Sequence, residues 1–268
     1  MKKNLFISNL AWHKKDNKKI FEIIKKYKIS GIDIAPIRLN NNWKNIQSKL
    51  KNFQKDLKYN KIKVNAVQGI FFKTKYRLFD FRLIQHEKII NHMKMIINVA
   101  KLFNSKKIII GSSYFRNINK IDKKKADIIF INFLKKINPL LSKNRVHLCI
   151  ETIPKQYGEN YLYNMKDTIN LVKKINSKYI GINFDSSIYH FKKFDKSNFS
   201  DGRKFITNIQ ISQKNFDYFN YPSRQNLQFL KFLKKQNKFK DISLEIIAKK
   251  TNIRKLSKSL KNFNQVIN

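Results

Sequence analysis

Short apolar runs of strand length recur along this chain, each followed by a longer segment whose apolar residues return every three to four positions. The runs span 5–11, 31–36, 63–70, 106–112, 147–152, 179–185, 205–212 and 242–247. They are rich in Ile and Val and have the length of buried parallel strands. Between them, Ile20, Ile23, Ile24 and Tyr27 form a helical stripe with Lys on the opposite face. The same period links Ile89, Ile90, Met93, Ile96, Ile97 and Ala100, then Ile128, Ile129, Phe133 and Ile137. Residues 167–175, 224–234 and 253–263 supply later helices. Strands alternating with helices in this way predict an α/β fold, either a closed (β/α)8 barrel or a doubly wound sheet. The six glycines form neither a GxGxxG nor a GxxxxGK[ST] phosphate loop, which weakens the doubly wound alternative. At 268 residues, with no linker-like stretch, the chain reads as one barrel domain spanning residues 1–268.

The formal net charge of +41 would ordinarily suggest a polyanionic partner. Only eight of the 58 basic residues are Arg, the residue that favours bidentate phosphate and base recognition. The rest are Lys, punctuating helix surfaces and accompanied by many Asn and Ile, a bias that A/T-rich codons produce without any ligand. No nucleic-acid partner is therefore expected. The single cysteine, Cys149, excludes an intramolecular disulfide and fits a reducing compartment. Taken as lying on the opposite strand parity to Glu151, it is expected to pack against helices. The opening MKKNLFISNLAW has too short and too interrupted an apolar stretch for a signal peptide and reads as a first strand. No segment has the length of a membrane span, and a cytoplasmic location is expected.

Three of the later runs end in a carboxylate: Glu151 in HLCIET, Asp185 in IGINFD and Glu245 in DISLEII. The run FITNIQIS offers Gln210 at the matching place. One such acid is often a helix cap or an ion-pair partner. Several at the C-terminal ends of barrel strands converge on the face where these barrels keep their chemistry. Carboxylates gathered there repel one another unless a cation or protons neutralise them. An all-oxygen donor set favours Mn²⁺ or Mg²⁺ over Zn²⁺.

Across essentially its whole length the chain resembles the xylose isomerase-like barrels, in particular the sugar phosphate isomerase/epimerase group with its ketose 3-epimerase relatives. The resemblance is carried by ISNLAW (7–12), GIDIAPIR (31–38), AVQGIFF (66–72), IETIPKQYGENYL (150–162), INFDSS (182–187) and SLEII (243–247). That family's metal set runs Glu, Asp, His, Glu on strands five to eight, which implies Glu151, Asp185, Gln210 and Glu245 here. The two glutamates of the epimerases also move the proton, so the resemblance assigns Glu151 and Glu245 to catalysis. It implies proton abstraction α to a carbonyl through an enediolate, on a small polyhydroxylated or phosphorylated sugar. Gln210 stands where the family has its histidine. Ile188 and Phe216 replace a histidine and an arginine that ketose 3-epimerases use to grip substrate, so a free ketohexose is not implied.

Around this core, Trp12 and Phe72 are candidates for stacking on a sugar face or for loop packing. Arg38 and Gln68 are candidates for holding hydroxyls or a phosphate, or for surface ion pairing and core amide bonding. Tyr157, Gly158 and Asn160 resemble the family's substrate-facing YG-x-N turn. His13 stands near the mouth as a proton donor or a solvated loop residue, while His86, His92 and His190 have no ligand spacing. Two rival readings are a sugar-binding barrel that has lost metal and catalysis, and an endonuclease IV-like DNA-repair enzyme. A homodimer is the assembly to test.

Overall fold

The strands pair in chain order and close on themselves: β1 (Asn4–Ser8), β2 (Gly31–Ile34), β3 (Lys63–Val67), β4 (Lys107–Ile110), β5 (His147–Glu151), β6 (Ile180–Asp185), β7 (Ile206–Ser212) and β8 (Asp241–Glu245). All ladders are parallel, and β1 meets β8 through the register Asn4↔Asp241 to Ile7↔Leu244. The computed structural model describes residues 2–80, 83–119 and 121–268. The helices are α1 (Asn17–Lys26), α2 (Pro36–Leu39), α3 (Ile46–Tyr59), α4 (Leu83–Leu102), α5 (Lys123–Asn144), α6 (Met165–Ile175), α7 (Ser197–Gly202), α8 (Arg224–Lys234) and α9 (Ile253–Ile267). The longer ones form an outer ring in which α3 packs on α4, α4 on α5, α5 on α6 and α8 on α9, with α9 closing onto α1.

The strands end earlier than the apolar runs. Ala11, Pro36, Ile70 and Ile247 lie beyond the last ladder residues, Ala11 in a 3-10 turn and Pro36 at the start of α2. Side-chain oxygens define several helix starts: Asp122 caps α5, Asn164 caps α6, Ser223 caps α8 and Asn252 caps α9. The α5 stripe keeps Phe133 and Ile137 but begins at Ala126 and Phe130 in place of Ile128 and Ile129. Phe130, Phe133, Leu134 and Ile137 face the core, and Ile128 is 60% exposed.

Apolar strand residues such as Ile32, Ile108, Leu148, Ile182, Ile211 and Leu244 pack outward in one continuous core with the helices. The lumen differs from the branched apolar filling usual in such barrels. Asp33, Asn65, Asn183, Asn208 and Gln210 are all buried and bonded across the barrel. At the N-terminal end, the Lys107 ammonium donates to Asn65, Asn208 and Asp241. Buried polar groups must find partners or cost free energy, and this layer provides them mutually.

Cys149 belongs to this interior rather than to the helix-facing side. It packs with Ala66 and Ile109 in a small cluster of its own. Side chains repeat every two residues along a strand, so Cys149 shares the face of Glu151, and the opposite-parity expectation is corrected. Burial pushes its thiol up to about 11, so it is not poised as a nucleophile.

Candidate active site

The ends of β5, β6 and β8 bring Glu151, Asp185 and Glu245 together at the C-terminal mouth. One carboxylate oxygen from each lies within 4.8 Å of the others, and all three residues are buried. A cavity of about 530 Å3 opens above them, walled by Glu151 and Glu245 but not by Asp185. Asp185 is fixed from beneath: its Oδ1 accepts from the Ser187 N–H at 2.5 Å and from the Ser212 hydroxyl at 2.6 Å. Its Oδ2 is buried without a hydrogen-bond partner. Glu245 Oε1 accepts from Gln68 Nε2 at 3.1 Å, and Gln68 also donates to Ser8. Gly111 on the neighbouring wall leaves room for the Glu151 carboxylate, since a Cβ there would overlap it and force that side chain to shift.

Crowding by neighbouring carboxylates shows in the protonation of the two glutamates. Burial, reinforced by the Asp185 charge and opposed by Arg116, pushes Glu151 up to about 8. Burial, then Glu151 and Asp185, raise Glu245 well above the ordinary carboxylate range. Without a cation the folded protein thus holds protons that the unfolded chain releases near the ordinary value of 4.5. Its stability should fall as pH rises from about 4.5 to about 8, by on the order of 1 kcal/mol per pH unit. A divalent cation held between the carboxylates would substitute for those protons, so Mn²⁺ should then raise the melting temperature more at pH 8 than at pH 5.5. Melts in chelator and in Mn²⁺ at both pH values test this, and a larger gain at pH 5.5 would count against a cation between the carboxylates.

The donor set fits a hard divalent cation: three carboxylates, one with an orphaned buried oxygen. Gln210 does not add its oxygen to the cluster. Its Oε1 accepts from Asn183 at 2.6 Å, and its Nε2 donates to Gln68 Oε1 at 2.8 Å and to Asp33 Oδ2 at 3.2 Å. Gln210 thus braces the lumen against the site while also lining the cavity, with both amide atoms engaged by neighbours. Asp33, buried on β2 with its carboxyl raised chiefly by burial, went unassigned. The motif GIDIAP carried the same signal as the later acids.

Among the candidate substrate groups, Arg38, Gln68, Phe72 and Tyr157 line the cavity, and His13 stands at its edge with Nε2 against the Lys249 carbonyl. Two others are placed elsewhere. The Trp12 ring is 1% exposed and off the cavity wall, its indole N–H donating to Asn17. Asn160 sits outside the cavity and secures its loop through Ile118 N and Asn117. Phe216, where a ketose 3-epimerase has arginine, presents its ring to the cavity from two successive left-handed residues, Asn215 and Phe216. His190, which has no sequence signal, supports Tyr157. Its Nε2 donates to the Ser212 carbonyl at 2.8 Å, so Nδ1 accepts the Tyr157 hydroxyl at 2.8 Å.

Residues 21–261 match the family described as xylose isomerase-like TIM barrels. The chain belongs to that family. Solved structures with the same fold include D-psicose 3-epimerase from Clostridium cellulolyticum H10, at TM-score 0.77 and 10% identity, covering 98% of this chain and 99% of that one. Also similar is 3-keto-D-glucoside 4-epimerase from E. coli, at TM-score 0.74 and 12% identity, covering 98% and 99%. An AP endonuclease of family 2 from Brucella melitensis matches at TM-score 0.76 and 10% identity, covering 98% of each chain. At such identities these likenesses show the fold alone. No curated protein matches the chain significantly in sequence. Among the described residues, no helix is long and apolar enough to cross a membrane.

Proposed function

We propose that this xylose isomerase-like barrel is a metal-dependent isomerase or epimerase of a sugar or sugar derivative. The observation that carries the reading is the convergence of Glu151, Asp185 and Glu245 at the floor of a cavity, with a buried Asp185 oxygen lacking any partner. Glu151, Asp185 and Glu245 would hold the cation, Mn²⁺ or Mg²⁺, which when bound supplies Lewis-acid polarisation of a carbonyl. Asp185 would ligate without reaching substrate, since it does not line the cavity. Glu151 and Glu245 do line it, which suits them to removing and returning a proton α to a carbonyl. An amide hydrogen bond from Gln68 orients Glu245 for that transfer. Exclusion of bulk water by Ile37, Ile153, Phe216 and Ile247 on the cavity walls would protect the enediolate from side reactions.

The non-catalytic, sugar-binding alternative draws on the engagement of Gln210 away from the carboxylates, which leaves the cluster without a fourth protein ligand. Two measurements separate the readings. Calorimetric titration of Mn²⁺ should give one site in the wild type. Incubation of the loaded protein with ketoses in D2O should then exchange the C–H next to the carbonyl, read by proton NMR. Metal binding with no exchange on any ketose would favour the binding protein. Absence of both would remove the metal-enzyme reading.

A further inference from the structure

The cavity keeps its charges apart. Its acids, Glu151 and Glu245, are buried at the floor, whereas Lys73 is exposed and Arg38 half-buried on the wall. Arg38 differs from the many solvated lysines of this chain. Its Nε donates to the Trp12 carbonyl at 2.9 Å and its Nη2 to the Ala248 carbonyl at 2.6 Å, holding the guanidinium between the loops after β1 and β8. Both partners are neutral acceptors. Among the described residues, neither Arg38 nor Lys73 has a carboxylate within ion-pair distance. A partly desolvated, immobilised guanidinium without a counter-charge is costly unless an anion completes it. The guanidinium keeps further N–H donors of the kind that bind the oxygens of a phosphate or carboxylate. A second basin, of about 690 Å3, shares His13, Arg38 and Asn41 with the cavity. Lys14 and Lys15 also line it, and no acid does.

We propose that Arg38 anchors an anionic substituent of the substrate, a phosphate or a carboxylate, at the end of the molecule remote from the carbon on which the carboxylates act. This rests on the carbohydrate reading above and narrows it to sugars bearing a negative charge. Basic and acidic groups lining one cavity also favour one orientation of such a substrate over the reverse. A neutral polyol would leave the Arg38 guanidinium unpaired.

The test titrates the Mn²⁺-loaded full chain with a neutral ketohexose, its 6-phosphate and the matching 6-carboxylate, by calorimetry, and follows C–H exchange in D2O in parallel. Anionic sugars should bind at least tenfold tighter than the neutral one, and the tighter of the two anionic arms identifies the group. Arg38→Met should collapse that ratio toward unity, and Arg38→Lys should restore part of it. Because Arg38 also ties two loops, Lys73→Glu, at an exposed position, gives an independent reading and should lower the ratio several-fold. Inorganic phosphate should compete with the anionic sugar in the wild type. Equal affinity for neutral and anionic sugars, or a preference that survives both Arg38→Met and Lys73→Glu, would overturn the proposal. So would a wild type that binds neither anionic sugars nor inorganic phosphate. Tight anionic binding without exchange would instead count against isomerase chemistry alone, and exchange on neutral sugars without anion preference against Arg38 alone.

Discussion

Glu151→Gln should lower kcat by about a thousandfold, within the range for loss of a general acid or base, while raising the stability of the metal-free protein at pH 8. Both effects come from one cause. Glu151 is buried, crowded by Asp185 and pushed up to about 8, so ionising it in the fold is costly. The glutamine keeps the shape, removes the charge and relieves that cost, but it can neither take up a proton nor help neutralise a cation. Mn²⁺ affinity should therefore fall together with activity, whereas the melting temperature in chelator at pH 8 should rise. The stability gain should vanish at pH 4, where the wild-type carboxyl is already protonated. Steady-state kinetics on the exchanging ketose, with melts at the two pH values, provide the check. A variant within tenfold of wild-type kcat would remove Glu151 from the chemistry. A variant that is less stable at pH 8 would show that the carboxylate is not strained by its surroundings.

Local pattern carried much of this architecture, because strand-forming runs and helical stripes are short-range signals. The eight-stranded closure follows from their alternation, and Glu151, Asp185 and Glu245 were visible as acids at the ends of buried strands. What local pattern could not carry depends on partners brought from elsewhere in the chain. The Gln210 amide nitrogen donates to Asp33 and Gln68, each far away in sequence, contacts that no local pattern announces. His190 acquires its place only through Tyr157 and Ser212, contributed by different loops. Trp12 was read from its nearness to the mouth, but that loop turns immediately after β1 and directs the ring into the core. Cys149 and Asp33 are different: the two-residue strand period was enough to place both in the lumen.

Arg116→Met is expected to cost about 3–5 kcal/mol of stability, the range for removing one partner of a buried ion pair. Arg116 and Glu159 are both fully buried, joined through Nε and Oε2 at 2.7 Å. Glu159 Oε1 accepts from the Tyr161 and Leu162 N–H groups, and Arg116 Nη1 reaches the Ile110 carbonyl. The pair thus fastens the loop after β4 to the loop after β5 that carries Tyr157. With methionine, Glu159 stays buried without its counter-charge, and the melting temperature should fall by roughly 6–20 °C for a chain of this size. Arg116→Met with Glu159→Gln should recover a good part of that loss, because no isolated charge is then left inside. Arg116 also opposes the rise in the proton affinity of Glu151. In the single variant, the acid limb of the activity profile should accordingly move to higher pH. A simple packing role would lower the melting temperature without moving that limb or showing recovery in the double variant, so the cycle and the pH profile together distinguish a charged clasp from a filler of space.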